Sequence, residues 1–333
     1  MTEISAVPLG MHILEVEITT RCNLDCRHCY NRNRQSVDLP LATIESLVDF
    51  ARRHQVWTFT LSGGEALLHP QFDDLIKFLA DTKKEFRLVL QSNGTLLFQP
   101  EIRRKLAVFD LIHLSCDLAA DVRESGKDNF ELAKILQVEG LNCYLFNTLH
   151  RGNRHMIDQM VEASDRSGVP IGFNICIPVD RLPQGLAMTR EEFWQTERQL
   201  YELYRAGRIL RYSSPLTALL DPEKAGPYQG ISGGCSAGVA ACVVEPSGEV
   251  LPCPFFRLSA GNIFKTPLEE IWNEAPIFMA MRQRRSFQEP CGSCEFLSFC
   301  GGCRNRAYKA TGDLKGNDPM CYRDLQFQNE RLT

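Results

Sequence analysis

Cysteine placement constrains this chain more than any other feature. Of fourteen cysteines in 333 residues, Cys22, Cys26 and Cys29 fall in one short stretch, and eight more lie between Cys235 and Cys321. The first three follow a β-type run, Ile13 to Ile18, so the loop that bears them stands at the carboxyl end of a strand. A [4Fe–4S] cluster usually takes four cysteines, and a loop with three leaves one iron open for another ligand. A structural zinc site is the competing reading. It wants four closed tetrahedral ligands, and His28 would have to fold back between Cys26 and Cys29 to serve as the fourth.

Size and charge narrow the field. A chain of 333 residues can bury a full core and carry a second, smaller unit. A net charge of −4 argues against a nucleic-acid partner. No run approaches the roughly 18 apolar residues that a membrane span needs, and the first residues, Met1 to Ser5, have neither the basic region nor the apolar core of a secretory signal. Cysteines at this density in a chain without an export signal point to metal or redox chemistry, since the cytosol keeps thiols reduced. The expectation is a cytoplasmic protein with no membrane partner.

Apolar runs at Ile13–Ile18, Val56–Leu61, Phe86–Leu90, Leu111–Leu114, Leu141–Phe146 and Val169–Ile175 alternate with helical periodicity, as in Leu41 to Arg53, Gln71 to Leu79, Met156 to Arg166 and Glu191 to Tyr204. Six strands alternating with helices predict an α/β fold with a parallel sheet. Each strand ends in polar residues, which gathers Gly63-Gly64-Glu65, Asn93, Ser115, Asp117 and Asn147 on the cysteine loop's side of the sheet. Active sites assemble on that face of parallel α/β barrels. Pattern alone does not separate a barrel from an open doubly wound sheet.

The Cys-x3-Cys-x2-Cys spacing after the first strand, with Gly-Gly-Glu after the second, resembles the radical S-adenosylmethionine (SAM) enzymes. The resemblance implies a partial (β/α)6 barrel in which Cys22, Cys26 and Cys29 hold a [4Fe–4S] cluster. Its open iron would chelate SAM, and one electron would release a 5′-deoxyadenosyl radical. It further implies SAM contacts at Gly63, Gly64, Glu65, Asn93, Ser115, Asp117 and Asn147, with His28 packing near the adenine, and a flavodoxin- or ferredoxin-type electron donor. Taken singly, these residues also read as turns and helix caps. Relatives often carry Ser-Ile-Asp-Gly at the fourth strand, where this chain has Ser115-Cys116-Asp117-Leu118.

The last third reads differently. Cys235, Gly248 and Cys253 precede Cys291-x2-Cys294-x5-Cys300-x2-Cys303 and then Cys321, with a β-hairpin expected around Pro246-Ser247-Gly248. This resembles the SPASM domain, a small cysteine-rich α+β unit with two auxiliary [4Fe–4S] clusters. Carried over, Cys235, Cys242, Cys253 and Cys303 would hold one cluster, and Cys291, Cys294, Cys300 and Cys321 the other. A zinc ribbon on Cys291, Cys294, Cys300 and Cys303 is the alternative. The expected division is a barrel over residues 1–212, a linker over 213–234 and the SPASM domain over 235–333. Cys116, Cys143 and Cys176 sit in strand-like runs as small hydrophobes, with Cys116 a candidate hydrogen donor to a substrate radical. Asp180 and Arg181 follow the sixth strand, either as substrate contacts or as exposed loop charges.

The resemblance points to a peptide or protein substrate, crosslinked or oxidised. Many such relatives begin with a leader-binding domain, whereas only 21 residues precede Cys22, so leader capture would need a separate protein, or the barrel alone would recognise the substrate. The alternatives are side-chain decarboxylation of a tetrapyrrole, dehydrogenation of a small alcohol or sugar, and an iron–sulfur electron carrier with no catalysis.

Overall fold

A computed structural model describes residues 10–31, 35–82, 85–118, 128–178, 182–183, 185–220 and 234–321. Strands β1 (Ile13–Thr19), β2 (Thr58–Gly63), β3 (Arg87–Ser92), β4 (Leu111–Ser115), β5 (Cys143–Leu149) and β6 (Ile171–Ile175) lie side by side in chain order, each pair parallel. Parallel neighbours require crossovers. Helices α1 (Leu41–Arg53), α2 (Phe72–Asp81), α3 (Pro100–Arg103), α4 (Asn129–Val138) and α5 (Ile157–Ser167) provide them. In α1, Ile44, Leu47, Val48 and Ala51 form one buried stripe at the spacing of a helix face. Helix α6 (Arg190–Arg205) starts at a reciprocal cap between Thr189 and Glu192. It leads to a seventh parallel strand, β7 (Arg211–Ser213), too short to carry a sequence period.

The six expected strands are present, and the second, third and fifth run two or three residues past their expected ends. That extension places Asn147 inside β5 rather than after it. The two faces of the sheet differ. Leu14, Val16 and Ile18 of β1, Phe59 and Leu61 of β2, Leu88 and Leu90 of β3, and Ile112 and Leu114 of β4 are buried against the helices. Alternation turns Glu15, Glu17, Thr60, Ser62, Gln91, His113 and Ser115 to the other face. Parallel strands packed on both faces read as continuous apolar runs. The polar alternation marks the inner face as a cavity wall.

The expected hairpin forms from β8 (Ala241–Val244) and β9 (Glu249–Leu251), and a short β10 (Gly261–Asn262) follows. Its turn needs Gly248, where φ is +83° and a Cβ would meet the Phe264 ring at 2.5 Å. The hairpin joins the main sheet: β8 pairs in parallel with β1, matching Ile13 to Ala241 and Leu14 to Cys242. The ten strands among the described residues therefore form one open sheet with β7 and β10 at its edges. Of the stretch 213–234, Ser213 ends β7 and Leu216 and Leu219 are buried, while residues 221–233 lie outside the described residues. Helices α7 (Leu268–Glu274), α8 (Pro276–Arg282) and α9 (Arg304–Thr311) complete the C-terminal part.

Candidate active site

The cysteine loop leaves β1 at Thr19 and is clamped from two sides. Gly64 N–H donates to Thr19 O at 2.8 Å and Glu65 N–H to Arg21 O at 2.7 Å. A Cβ on Gly63 would lie 2.3 Å from Thr19 O, and one on Gly64 2.2 Å from Arg21 O. Close backbone approach thus requires both glycines, and that approach fixes the base of the cysteine loop. On the other side, the Thr19 hydroxyl and the Arg21 guanidinium both reach Asp38. Within the loop, Leu24 N–H points at Cys22 Sγ (3.5 Å) and Asn31 N–H at Cys29 Sγ (3.3 Å). Such donors stabilise thiolate over thiol.

Several of the residues expected to contact SAM are hydrogen-bonded to the loop or to one another. Glu65 is buried, and its carboxylate accepts from the Ser92 hydroxyl and from Asn93 N–H at 2.7 Å. Asn93 Nδ2 donates to Asn23 Oδ1 at 2.9 Å and lies 3.8 Å from Cys22 Sγ, tying the end of β3 to the first cysteine. Asn147 is fully buried; its Nδ2 donates to Cys116 O (2.6 Å) and Asp117 Oδ1 (2.7 Å), while its Oδ1 meets no donor. His28 faces the buried His150, with ring centroids 6.3 Å apart. Asn129, which the sequence reading does not single out, donates from Nδ2 to both Asn93 O and Ser115 O, joining the ends of β3 and β4. Its signal was an Asp128 cap directly before a helical run.

Cys116 is 1% exposed and shares the helix-packed face with Ile112 and Leu114, opposite the face that carries Ser115. That placement is a core position, and it points Cys116 away from the presumed reaction space. Cys143 is likewise buried, and burial pushes its thiol up to about 11. Asp180 and Arg181 lie outside the described residues.

The inner face contributes groups that no short motif announced. Ser62 donates to Glu15 at 2.7 Å, and burial raises the Glu15 carboxyl to about 7. Burial also raises Glu17, against the pull of Arg257 and Tyr30. Arg257, from the C-terminal part, reaches Glu17 at 3.2 Å and also Glu245. Tyr30, next to Cys29, donates to Glu17 at 3.0 Å and packs edge-on against Phe255 with centroids 5.4 Å apart. One buried polar network therefore joins the cysteine loop to the region of Cys253. Across the sheet, His113 lies against Tyr144, and burial, reinforced by Arg211 and Arg87, holds its imidazole down at about 3. The signal was present in the sequence as the alternation Leu14-Glu15-Val16-Glu17 in a strand flanked by parallel neighbours.

The C-terminal cysteines separate into two groups. Cys253 feels the charges of Cys235 and Cys303, and Cys303 that of Cys235. Cys291 and Cys300 each feel Cys294 and Cys321. Cys303 thus stands with Cys235 and Cys253, a partition unlike a zinc ribbon on Cys291, Cys294, Cys300 and Cys303. Cys242 stands apart, 1% exposed, with its Sγ 3.7 Å from Met11 Sδ. Among the described residues no three His, Cys, Asp or Glu side chains close around a single ion; a cluster holds its thiolates farther apart, around an inorganic core.

The surroundings fit anionic clusters. Arg304 is 3% exposed, its Nε and Nη2 have no hydrogen-bond partner, and it influences both Cys235 and Cys291. Arg284 likewise acts on Cys235 and Cys300. A buried guanidinium with unpartnered N–H groups is costly, and sulfur-rich anions on either side would satisfy it. Burial pushes the Cys303 thiol up to about 11 and Cys300 to about 12, so deprotonation here calls for a cation core, as metal binding to thiolates generally does.

Comparison with known proteins agrees with this geometry. Residues 16–164 match the Radical SAM superfamily, and residues 235–295 match SPASM, the iron–sulfur cluster-binding domain. The chain is 28% identical over 334 residues to the AdoMet-dependent heme synthase of Methanosarcina barkeri, covering 92% of this chain and 94% of that protein. It is 28% identical over 328 residues to the mycofactocin maturase MftC of Mycobacterium ulcerans, covering 92% and 86%. Its fold resembles that of Streptococcus suis SuiB bound to precursor peptide SuiA, with a TM-score of 0.77 at 18% identity over 93% of this chain and 75% of that one. The chain is a radical SAM superfamily enzyme with a SPASM iron–sulfur cluster-binding domain in its C-terminal third.

Proposed function

We propose that this enzyme modifies a ribosomally made peptide or protein by hydrogen abstraction from an unactivated C–H bond. In this reading Cys22, Cys26 and Cys29 hold the SAM-binding cluster, and the two C-terminal groups hold two auxiliary clusters. The three loop cysteines would hold the group whose chemistry, with SAM and an electron from a flavodoxin- or ferredoxin-type donor, would be release of a 5′-deoxyadenosyl radical. The chain's own residues do the rest. Gly63 and Gly64 seat the cysteine loop, Asn93 orients toward Cys22, Glu65, Ser115, Asp117 and His28 frame the pocket at the strand ends where SAM would lie, and Asn147 holds Asp117 from β5.

The observation that carries the reading is the polar inner face between the cysteine loop and the C-terminal groups. Glu15 and Glu17 line it beside β1 and Arg211 lies at its far side, pairing with the Tyr144 hydroxyl. Its carboxyl groups, Glu17 held by Arg257 and Tyr30, offer acceptors that suit a peptide backbone with its own donors. The resemblance to MftC and to the SuiB fold supports the same substrate class. Tetrapyrrole decarboxylation is the second reading, favoured by the match to the heme synthase along nearly the whole chain. A separate leader-binding protein would complete peptide capture.

The test is anaerobic reconstitution with iron, sulfide, SAM and dithionite. The expected result is about twelve irons per chain for three clusters, 5′-deoxyadenosine formation, and its loss in Cys26→Ala. A peptide encoded beside the gene should then change mass by whole hydrogens. Loss of carbon dioxide from an added tetrapyrrole, with the peptide untouched, would transfer the assignment to the second reading.

A further inference from the structure

Eight C-terminal cysteines would close two clusters completely, but the structure does not bring the eighth to its place. Cys235 and Cys253 pack around Ala237, Phe256 and Met281, and Cys303 joins them. Cys242 belongs to the main core, paired with Leu14 across β8 and β1, with its sulfur on Met11. Freeing its sulfur from that face of the sheet would require β8 to slip by one residue. Such a slip turns every side chain of the strand to the opposite face and drives Val244, fully buried, out of the core. All fourteen cysteines fall among the described residues; Cys242, the expected fourth ligand, lies in the main core, and Cys291 and Cys300 go with Cys294 and Cys321.

The nearest carboxylate does not fill the gap. Asp318 Oδ2 accepts from Cys303 N–H at 2.6 Å and Arg306 Nη2 at 2.7 Å, and its Oδ1 accepts from Arg306 Nε and Met320 N–H. Those four bonds occupy both oxygens. Arg284, Arg304 and Arg306 all press positive charge on Cys235. Three thiolates bring one negative charge fewer than four, so the guanidinium-rich surroundings favour an anion at the remaining position. The trio's segment also meets the cysteine loop, since Phe255, two residues after Cys253, packs on Tyr30 beside Cys29.

We propose that the auxiliary centre on this side is held by Cys235, Cys253 and Cys303 alone, leaving one iron with a position for an anionic donor from outside the chain, a thiolate or a carboxylate. The proposal rests on the cluster reading above, and its test separates the two. In the full chain carrying Cys22→Ala, Cys26→Ala and Cys29→Ala together, the open iron of the SAM site is absent. That protein, reconstituted anaerobically, should hold about eight irons. Adding Cys242→Val should leave about eight, whereas adding Cys235→Ala should remove about four. Isotopically labelled cyanide, added to the dithionite-reduced protein, should couple to one cluster by electron–nuclear double resonance with and without Cys242→Val. Loss of about four irons in Cys242→Val, with an unchanged circular dichroism spectrum, would overturn the proposal. So would a full iron complement that shows no cyanide coupling; this readout needs no change at Cys242 and stands even if Cys242→Val misfolds. Absence of any iron in the starting protein would instead bring down the cluster reading and the proposal together.

Discussion

The cysteines at the two ends of this chain are held by different means. Cys22, Cys26 and Cys29 come from one loop, partly open to solvent, whose ends are pinned by Gly64, Glu65 and Asp38. The C-terminal groups are assembled from separate segments, Cys303 reaching back 50 positions to Cys253 and 68 to Cys235, and they sit among buried arginines. The first arrangement keeps its scaffold whether or not a cluster is present. In the second, Cys235 and Cys253 pack on a small apolar cluster of Ala237, Phe256 and Met281, and the buried guanidinium N–H groups of Arg304 are costly until an anion satisfies them. Chemistry can therefore be exchanged at the loop, while the C-terminal groups couple cluster binding to folding.

The largest effect expected from this contrast is on turnover. Cys26→Ala should lower 5′-deoxyadenosine formation by at least about a thousandfold, yet leave the thermal unfolding midpoint within about two degrees of the parent. Cys253→Ala should do the reverse in kind, lowering the midpoint by about ten degrees or more as local structure is lost with its cluster. Equal thermal losses in the two variants would break the comparison.

Breaking the Arg306–Asp318 pair comes next. Both side chains are nearly fully enclosed, and their nitrogen and oxygen approach to 2.7 Å. Arg306→Met leaves an uncompensated carboxylate and should cost about 3–5 kcal/mol, read from urea unfolding. Gly64→Ala should follow at about 3 kcal/mol, since the new methyl group collides with Arg21 O and must push the cysteine loop away from β2. Its SAM cleavage should fall with the displaced loop even where the fold survives.

A smaller effect concerns pH. Glu15 titrates at about 7, raised mainly by burial and further by Glu17, while Ser62 and Arg257 pull it down. Unfolded, its carboxyl titrates near 4.5. The native state therefore holds this proton more tightly, so the contribution is complete below about pH 4.5 and is lost as pH rises through about 7. Stability should fall across that window by up to about 3 kcal/mol, and Glu15→Gln should flatten the slope in urea titrations at pH 5 and pH 8. The smallest effect is at Cys116. Cys116→Ala should cost about 1 kcal/mol for a buried sulfur removed from the core and leave SAM cleavage and product turnover unchanged. A large drop in turnover with SAM cleavage intact would return Cys116 to the chemistry.

Much of the N-terminal site was legible because its determinants are local. Loop spacing, the glycines after β2 and the polar strand ends all lie within short stretches, and parallel topology brings consecutive strand ends to one edge. Asn147 was placed at a strand end and proved to lie within β5, because the apolar run stops before the hydrogen-bonded ladder does. The polar inner wall was harder to recognise. Leu14-Glu15-Val16-Glu17 reads equally as an antiparallel strand with one wet face, and only the burial of Glu17 beside Arg257 identifies an enclosed charge.

By itself, the amino-acid order determined that a three-cysteine loop follows the first strand of an α/β sheet and that a cysteine-rich region closes the chain. Tertiary structure alone decided which C-terminal cysteines meet, that Cys242 belongs to the core, and that the hairpin bearing it completes the edge of the main sheet. The physical reason is range. Spacing within a loop is set by a few backbone torsions. Ligand sets drawn from distant segments depend instead on strand register, where a shift of one residue sends a thiol to the other side of the sheet.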